Sequence, residues 1–389
     1  MKTAGAFALM SSGLRARRAF AAGATETTAF VGTYNTRSDG HGEGIYSFRV
    51  NLENGELTNR KLAVKTPNPT WIAIHPSKKF LYAINEVTDF AGGTGSVIAF
   101  AIEQGSELRM LNIVSSTGAG PAHMSLDASG KFAFVANYVG GSIAVLPVHD
   151  DGSLGDAVDV HRDLNMVGPA RPADAPPGSF AISGHDAPHA HMIAPDPANK
   201  FVLSTDLGQD RLYTYAFDSN TGKLTSRSFL ALLGGVGPRH FAFHPHSQWM
   251  YLVTEESSQI VFLTYDALTG RTEVKKIISA LPPGFEGTSF ASEIAVSPDG
   301  RFLYSANRLH DTISIFSIAA DGTPSYIGEA STMGDYPRHF AIDPSGSCMF
   351  VCNQHSDDIT SFRIERETGK LSFTGKYAGV GSPAMFALL

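Results

Sequence analysis

A chain of 389 residues, 43% of them hydrophobic and 17% charged, has enough apolar material to bury a large core. Its formal net charge of −7, from 37 acidic against 30 basic residues, argues against general nucleic-acid or membrane-surface binding, which draws on a basic excess. A small anionic substrate stays open, because it needs only a local cluster of arginines.

The first 27 residues differ from the rest. Lys2, Arg15, Arg17 and Arg18 stand among small residues, with no acid before Glu26. An Arg-rich, acid-poor leader suggests an organellar transit peptide, whereas Lys2 and the short apolar run Ala4 to Met10 suggest secretion. The third reading is an undirected, disordered extension. The expected location is the cytoplasm, with a mitochondrion or another organelle as the alternative through this leader. No stretch reads as a transmembrane helix.

From residue 28 the chain repeats. Two strand-like runs come first, Ala29 to Tyr34 and Gly44 to Phe48, followed by a turn at Asn54-Gly55. Units then start at Pro69, Pro121, Ala190, Pro238, Ala291 and Pro337, at intervals of 46 to 69 residues, each long enough for four strands. The copies Gly237-Pro238-Arg239-His240, Tyr336-Pro337-Arg338-His339 and Gly120-Pro121-Ala122-His123 carry the pattern most clearly. Each start leads into an apolar strand and then a turn, such as Ser129-Gly130, Asp299-Gly300 or Ser345-Gly346. A second strand rich in aromatic and β-branched residues follows: Phe80 to Ile84, Phe132 to Ala136, Phe201 to Thr205, Met250 to Thr254, Phe302 to Ala306 and Met349 to Cys352. An outer hairpin turns at Asp151-Gly152, Thr221-Gly222, Thr269-Gly270, Asp321-Gly322 and Thr368-Gly369.

The opening strands lack an inner partner, and Gly381 to Ala387 supplies one at the far end. A C-terminal strand that completes an N-terminal sheet closes a ring and removes exposed edges. The pattern therefore predicts an all-β chain, a seven-bladed β-propeller forming one domain over residues 28–389. Cys348 and Cys352 lie four apart in a strand, about 13 Å at roughly 3.3 Å per residue, too far for a disulfide.

In an antiparallel hairpin the start of the inner strand and the end of the next share one end of the blade. One residue past each start come Thr70, Ala122, His191, Arg239, Ser292, Arg338 and Ala384; seventeen past come Glu86, Tyr138, Leu207, Glu255, Arg308 and Gln354. A purely structural repeat would keep one residue type in every blade. His191, Arg239, Glu255, Arg308, Arg338 and Glu86 break it with ionisable groups at one mouth of the channel. The longest irregular stretches, Leu164 to Ala187, Thr88 to Gly95 and Leu281 to Ser289, are expected to gather on the same face.

Joined with Asn68-Pro69-Thr70-Trp71, Ala136-Asn137-Tyr138, Pro188-His189-Ala190-His191, Asp206-Leu207-Gly208-Gln209-Asp210, Ser297 to Tyr304, Ala306-Asn307-Arg308 and Asn353 to Asp357, these motifs resemble the seven-bladed-propeller lactonase family. The family includes the propeller type of 6-phosphogluconolactonase and the fungal carboxy-muconate lactonizing enzymes. The resemblance covers nearly all of the chain after the leader. In the muconate branch, catalytic or substrate-binding roles fall on a His, two Arg and a Glu, which correspond here to His191, Arg239, Arg308 and Glu255. The resemblance implies hydrolysis of a sugar-phosphate lactone, 6-phosphogluconolactone first, in the pentose phosphate pathway, with muconate lactonisation as the alternative. A non-enzymatic interaction scaffold is the third reading.

Lactone hydrolysis needs an activated water and a donor for the tetrahedral oxyanion. Glu255 is expected as general base ahead of His191, which is otherwise the acid for the leaving alkoxide. Arg239 and Arg308 suit the oxyanion or a carboxylate, and Arg338 a phosphate. His189, Glu86 and Glu293 are expected substrate contacts, and an unpaired Glu293 would have to meet a His or Arg or belong to the site. His123, His240 and His339, two past the start, are expected on the opposite side of the sheet from the arginines, as hydrogen-bonding residues between blades. Asp206 and Asp210, near the same mouth, are expected to cap turns, with the orienting of an arginine as the alternative. His189 and His191 lack a third ligand, so no metal is expected, and no cofactor. The expected partner is a small anionic lactone, and the protein a monomer or dimer.

Overall fold

The computed structural model describes residues 25–36, 40–162, 166–170 and 183–389. Residues 1–24 of the expected leader and much of the Leu164 to Ala187 stretch lie outside the described residues. Seven four-stranded antiparallel sheets make up the fold. Their inner strands are Pro383–Leu388, Ile72–Ile74, Pro121–Leu126, Ala190–Pro195, Pro238–Phe243, Phe290–Val296 and Pro337–Ile342, and the blades are numbered 1 to 7 in that order. The inner strand of blade 1 pairs with Glu26–Thr33, Phe30 opposite Ala387 and Val31 opposite Phe386. The ring is thereby closed by the last strand, as the sequence predicts. Among the described residues the only helical element is a 3-10 turn at Gln104–Ser106, and no helix is long and apolar enough to cross a membrane.

The core is divided among seven seams rather than gathered in one centre. Along the second strand of blade 5, Met250 and Leu252 pack toward blade 4 while Tyr251 and Val253 pack toward blade 6. A strand buried on both faces must be apolar at every position, which explains the unbroken run from Met250 to Val253. Each such side chain contributes about 1.5–3 kcal/mol on leaving water. The blade 1–blade 7 seam has the same build, with Phe386 stacked on Phe350 at 4.9 Å between ring centroids. Cys348 and Cys352 are buried there as free thiols.

Repeated polar ties fix the angle between neighbouring blades. The Tyr82, Tyr251 and Tyr304 hydroxyls donate to the carbonyls of Gly152, Gly322 and Gly369 at 3.0, 2.8 and 2.9 Å. Each tie joins a second strand to the outer turn of the next blade and satisfies a polar group that would be costly to bury alone.

One expected loop is not a loop. The strands Phe80–Phe90 and Thr94–Ile102 continue through Thr88 to Gly95, with Phe90 opposite Thr94 and a turn at Gly92 and Gly93 between them. The glycines mark the tip of an extended hairpin, and the polar residues before them are its exposed continuation. Leu281 to Ser289 is irregular, as expected.

Candidate active site

A β-bulge recurs where the inner strands begin. In blade 5, Pro238 pairs with Thr254 and His240 with Val253, so Arg239 is an extra residue with no partner in the ladder. Blades 3, 4 and 7 repeat this at Ala122, His191 and Arg338, and blade 6 carries its shift between Ala291 and Ile294. A bulge re-aims a side chain and resets the two-residue alternation beyond it.

This corrects one expectation. His123, His240 and His339 do not face away from the arginine row; they reach the channel axis. The Trp71 ring lies 4.3 Å from His123, 5.2 Å from His240 and 5.4 Å from His339, although these four residues come from four blades. Their hydrogen bonds do cross between blades. Ile193 N–H donates to His123 Nδ1 at 3.4 Å and Phe386 N–H to His339 Nδ1 at 3.3 Å. Glu293 completes this layer, 3.1 Å from His240 and 3.6 Å from His339. Glu293 thus meets two imidazoles, within the inner layer of the channel. Burial pushes its pKa upward against the pull of His339 and Arg239.

The outer layer holds the charges. Glu255 Oε2 accepts from Arg239 Nε and from Arg308 Nη2, both at 2.8 Å. Arg239 also donates to the Ser292 carbonyl, and Arg308 Nη2 to the Ala291 carbonyl at 3.1 Å. All three side chains are buried, so their mutual hydrogen bonds must offset a large desolvation cost. Burial pushes the Glu255 carboxyl up, but Arg308 and Arg239 outweigh it and hold its pKa at about 2. Burial, together with the neighbouring Arg308, pushes Arg239 down to about 10.

His191 stands beside this cluster, its ring 5.1 Å from His240 and 5.5 Å from Tyr138. Burial, then Arg239, His240 and Arg338, hold its pKa well below the ordinary imidazole range, so it is neutral near pH 7. Its buried Nδ1 has no hydrogen-bond partner among the described residues. Glu86 Oε2 accepts from Tyr34 and Thr70 at 2.7 and 2.8 Å, and the Arg338 guanidinium lies 4.9 Å from the Tyr34 ring centroid.

His189 is committed to the frame. Its Nδ1 lies 2.9 Å from the Tyr138 carbonyl and its Nε2 2.9 Å from Asp186, and its ring stacks on Tyr138 at 4.3 Å. Asp206 accepts from the His189 and Gln209 N–H groups, and Asp210 from those of Gly235, Val236 and Gly237, so both cap turns.

One arrangement escapes the repeat pattern altogether. His185, buried in the blade 3–blade 4 connection, sits 3.1 Å from Asp210 and 2.7 Å from Glu256. The second contact is close but poorly directed as a hydrogen bond, and is an ion pair. Burial opposes the charge on His185, yet Asp210 and Glu256 raise its pKa to about 9. Glu256 Oε1 also accepts from Ser183 Oγ at 2.9 Å and Gly184 N–H at 2.8 Å. The only sequence signal was a histidine among Pro and Gly in the longest insertion. No group of three or more His, Cys, Asp or Glu side chains with metal-holding geometry occurs among the described residues.

The profile of a family described as lactonase, 7-bladed β-propeller, matches residues 28–388. The chain is similar to a 6-phosphogluconolactonase of Bacillus subtilis, with 34% identity over 93% of this chain and 99% of that one. It is 31% identical to a 6-phosphogluconolactonase of Formosa agariphila over 88% of this chain and 94% of the other. Among solved structures, the periplasmic gluconolactonase of Pseudomonas aeruginosa superposes with a TM-score of 0.84 at 27% identity, covering 94% of this chain and 99% of that one. Matched along almost the whole propeller, and with ionisable residues of five blades turned to one mouth, the chain belongs to the seven-bladed β-propeller lactonase family.

Proposed function

We propose that this protein hydrolyses 6-phosphogluconolactone to 6-phosphogluconate. The observation that carries this reading is the positive field at the mouth. Arg239, Arg308 and Arg338 meet there with Glu255 and Glu86, and guanidiniums are among the groups that depress the pKa of His191 and His240. A concave site with excess positive charge attracts an anionic substrate. The curated relatives named above as 6-phosphogluconolactonases point to which anion.

The chemistry follows from the two layers. Water attacks the ring carbonyl carbon, giving a tetrahedral oxyanion; the ring C–O bond then breaks and its oxygen takes a proton, leaving the open acid. In this reading Arg308 and Arg239 stabilise the oxyanion. Glu255 is occupied by two guanidiniums, whereas His191 is neutral and its Nδ1 has no partner among the described residues, so His191 is assigned as the base. Glu255 then serves as the anchor that aligns two guanidiniums, which reverses the order expected from sequence. Arg338 is assigned to the phosphate. The reading needs no cofactor, nucleic acid or membrane, and describes a cytoplasmic monomer or dimer.

Purified protein is given freshly made 6-phosphogluconolactone, and formation of 6-phosphogluconate is followed with a coupled dehydrogenase. A rate no greater than spontaneous hydrolysis rejects the proposal. Because three arginines serve carboxylates as well as phosphate, the same preparation is then given a carboxy-muconate, whose loss of ultraviolet absorbance supports lactonisation instead.

A further inference from the structure

The residue just before the start of the repeat unit has a left-handed backbone in five blades: Asn68 (φ 40°), Gly120 (φ 53°), Gly237 (φ 64°), Tyr336 (φ 63°) and Ser382 (φ 41°). Each of these five precedes a proline. In blades 4 and 6 the corresponding residues, His189 and Phe290, precede alanine and are not left-handed. The conformation therefore belongs to the proline-started blade. Glycine adopts it without steric cost and asparagine at little, but a bulky aromatic side chain is an outlier there. Among the five, Tyr336 alone carries a bulky aromatic side chain in that conformation; the others are two glycines, an asparagine and a serine.

Its surroundings show what the tyrosine does. The Tyr336 N–H donates to Asp311 Oδ1 at 2.8 Å and its carbonyl accepts from Gln354 N–H at 3.1 Å, which fixes the backbone. The ring stacks on His355 at 4.0 Å. On the Arg308 side, the guanidinium carbon lies 5.2 Å from the ring centroid, and Nη1 donates to the hydroxyl at 3.5 Å. The other nitrogens of Arg308 are taken: Nη2 by Glu255 and Ala291, Nε by the Phe290 carbonyl at 3.4 Å. Nη1 has only this long contact with Tyr336 among the described residues, and so is the nitrogen least committed to the protein.

We infer that Tyr336 is a positioning residue for Arg308, held in an unfavourable backbone conformation because its ring and hydroxyl set the guanidinium edge that carries Nη1. This rests on the proposed role of Arg308 toward the lactone. Strained residues that persist at a functional site are kept there by the geometry they supply.

The test replaces Tyr336 with the residue that blade 2 uses at the same place. Tyr336→Asn relieves the backbone and removes the ring; Tyr336→Phe keeps the ring and removes the hydroxyl. The expected result for Tyr336→Asn is a Tm equal to or above that of the parent protein, with kcat/KM for the lactone reduced by about 10- to 100-fold, mostly in kcat. Tyr336→Phe is expected to keep the parent Tm and lose about 3- to 10-fold. Parent-like kcat/KM in Tyr336→Asn overturns the inference. So does a loss of activity accompanied by a Tm lower by more than about 5 °C, which marks a merely structural residue. If the parent protein itself shows no rate, the proposed function has failed rather than this inference. Calorimetric binding of gluconate, an unphosphorylated acid that presents only a carboxylate to Arg308, then decides: weaker binding by Tyr336→Asn supports the inference, and unchanged binding overturns it.

Discussion

Glu255 and Glu256 are successive residues, both buried, and they send their carboxylates to different cations. Glu255 bridges Arg239 and Arg308 at the channel mouth, while Glu256 grips His185 and the backbone of Gly184 in the blade 3–blade 4 connection. One dipeptide at the end of a strand thus joins the cluster at the mouth to the loop beside it.

Replacing Glu255 by glutamine leaves two buried guanidiniums without their shared anion. Breaking a buried ion pair on one side costs about 3–5 kcal/mol. The expected outcome is a lower Tm together with a fall in kcat of about 100-fold or more, since the two guanidiniums proposed as oxyanion donors lose their alignment. Thermal melting and steady-state kinetics on Glu255→Gln check this; a parent-like kcat contradicts it.

His185 gives the stability an alkaline limit. Its folded-state pKa, raised to about 9 by Asp210 and Glu256, exceeds the unfolded value near 6.5. Its contribution is therefore complete below about pH 6.5 and is lost as pH rises through about 9. Melting curves between pH 6 and 10 (roughly the span of that titration) are expected to show Tm falling on the alkaline side. In His185→Gln the fall is expected to be smaller, from a lower starting Tm.

The four channel imidazoles act in the opposite direction. His123, His191 and His240 are held well below the ordinary range, burial being the largest cause, and His339 is pushed down to about 4. For such depressed groups the unfolded chain binds protons first, so stability is lost as pH falls below about 6.5 toward the folded values. The expected Tm drops steadily on acidification from pH 6.5. If His191 acts neutral, kcat/KM stays level through pH 6.5, and a histidine-like break there contradicts that assignment.

In the proposed function Arg338 is the residue expected to separate phosphorylated from unphosphorylated lactones. It approaches Tyr34 through its guanidinium face, and the carboxylates of Glu86 and Glu255 act on it electrostatically. Arg338→Ala is expected to raise KM for 6-phosphogluconolactone by about 10- to 100-fold, the worth of a charge-assisted contact, while an unphosphorylated gluconolactone changes by less than about 3-fold. Equal losses on both substrates remove Arg338 from the phosphate.

The sevenfold repeat was legible because its physics is local. Glycine turns such as Asp299-Gly300 and apolar runs such as Met250 to Val253 announce strands buried on both faces, and the departures at Arg239, Glu255 and Arg308 stand out against that background. The bulge was not legible, since an extra residue is defined only against the partner strand. For that reason the His123, His240 and His339 row was expected on the wrong side of the sheet. Gly92 and Gly93 read as a loop because a hairpin tip and a loop share the same composition. The standing of Glu255 as a base depended on two guanidiniums brought from separate strands, and the pairing of His185 with Asp210 and Glu256 on contacts between blades.

The strand that closes the ring sets the order in which the blades are completed. Thr27 in the first strand hydrogen-bonds the carbonyl of Leu389, 362 residues later in the chain. A ribosome builds the first strand early, and its edge stays open until that distant partner has emerged. Blades 2 to 7 are each contiguous in sequence and are complete as they leave the exit tunnel. Blade 1 waits, with Phe30 and Val31 on an unpaired edge, and that interval is when the chain most needs protection from other strands.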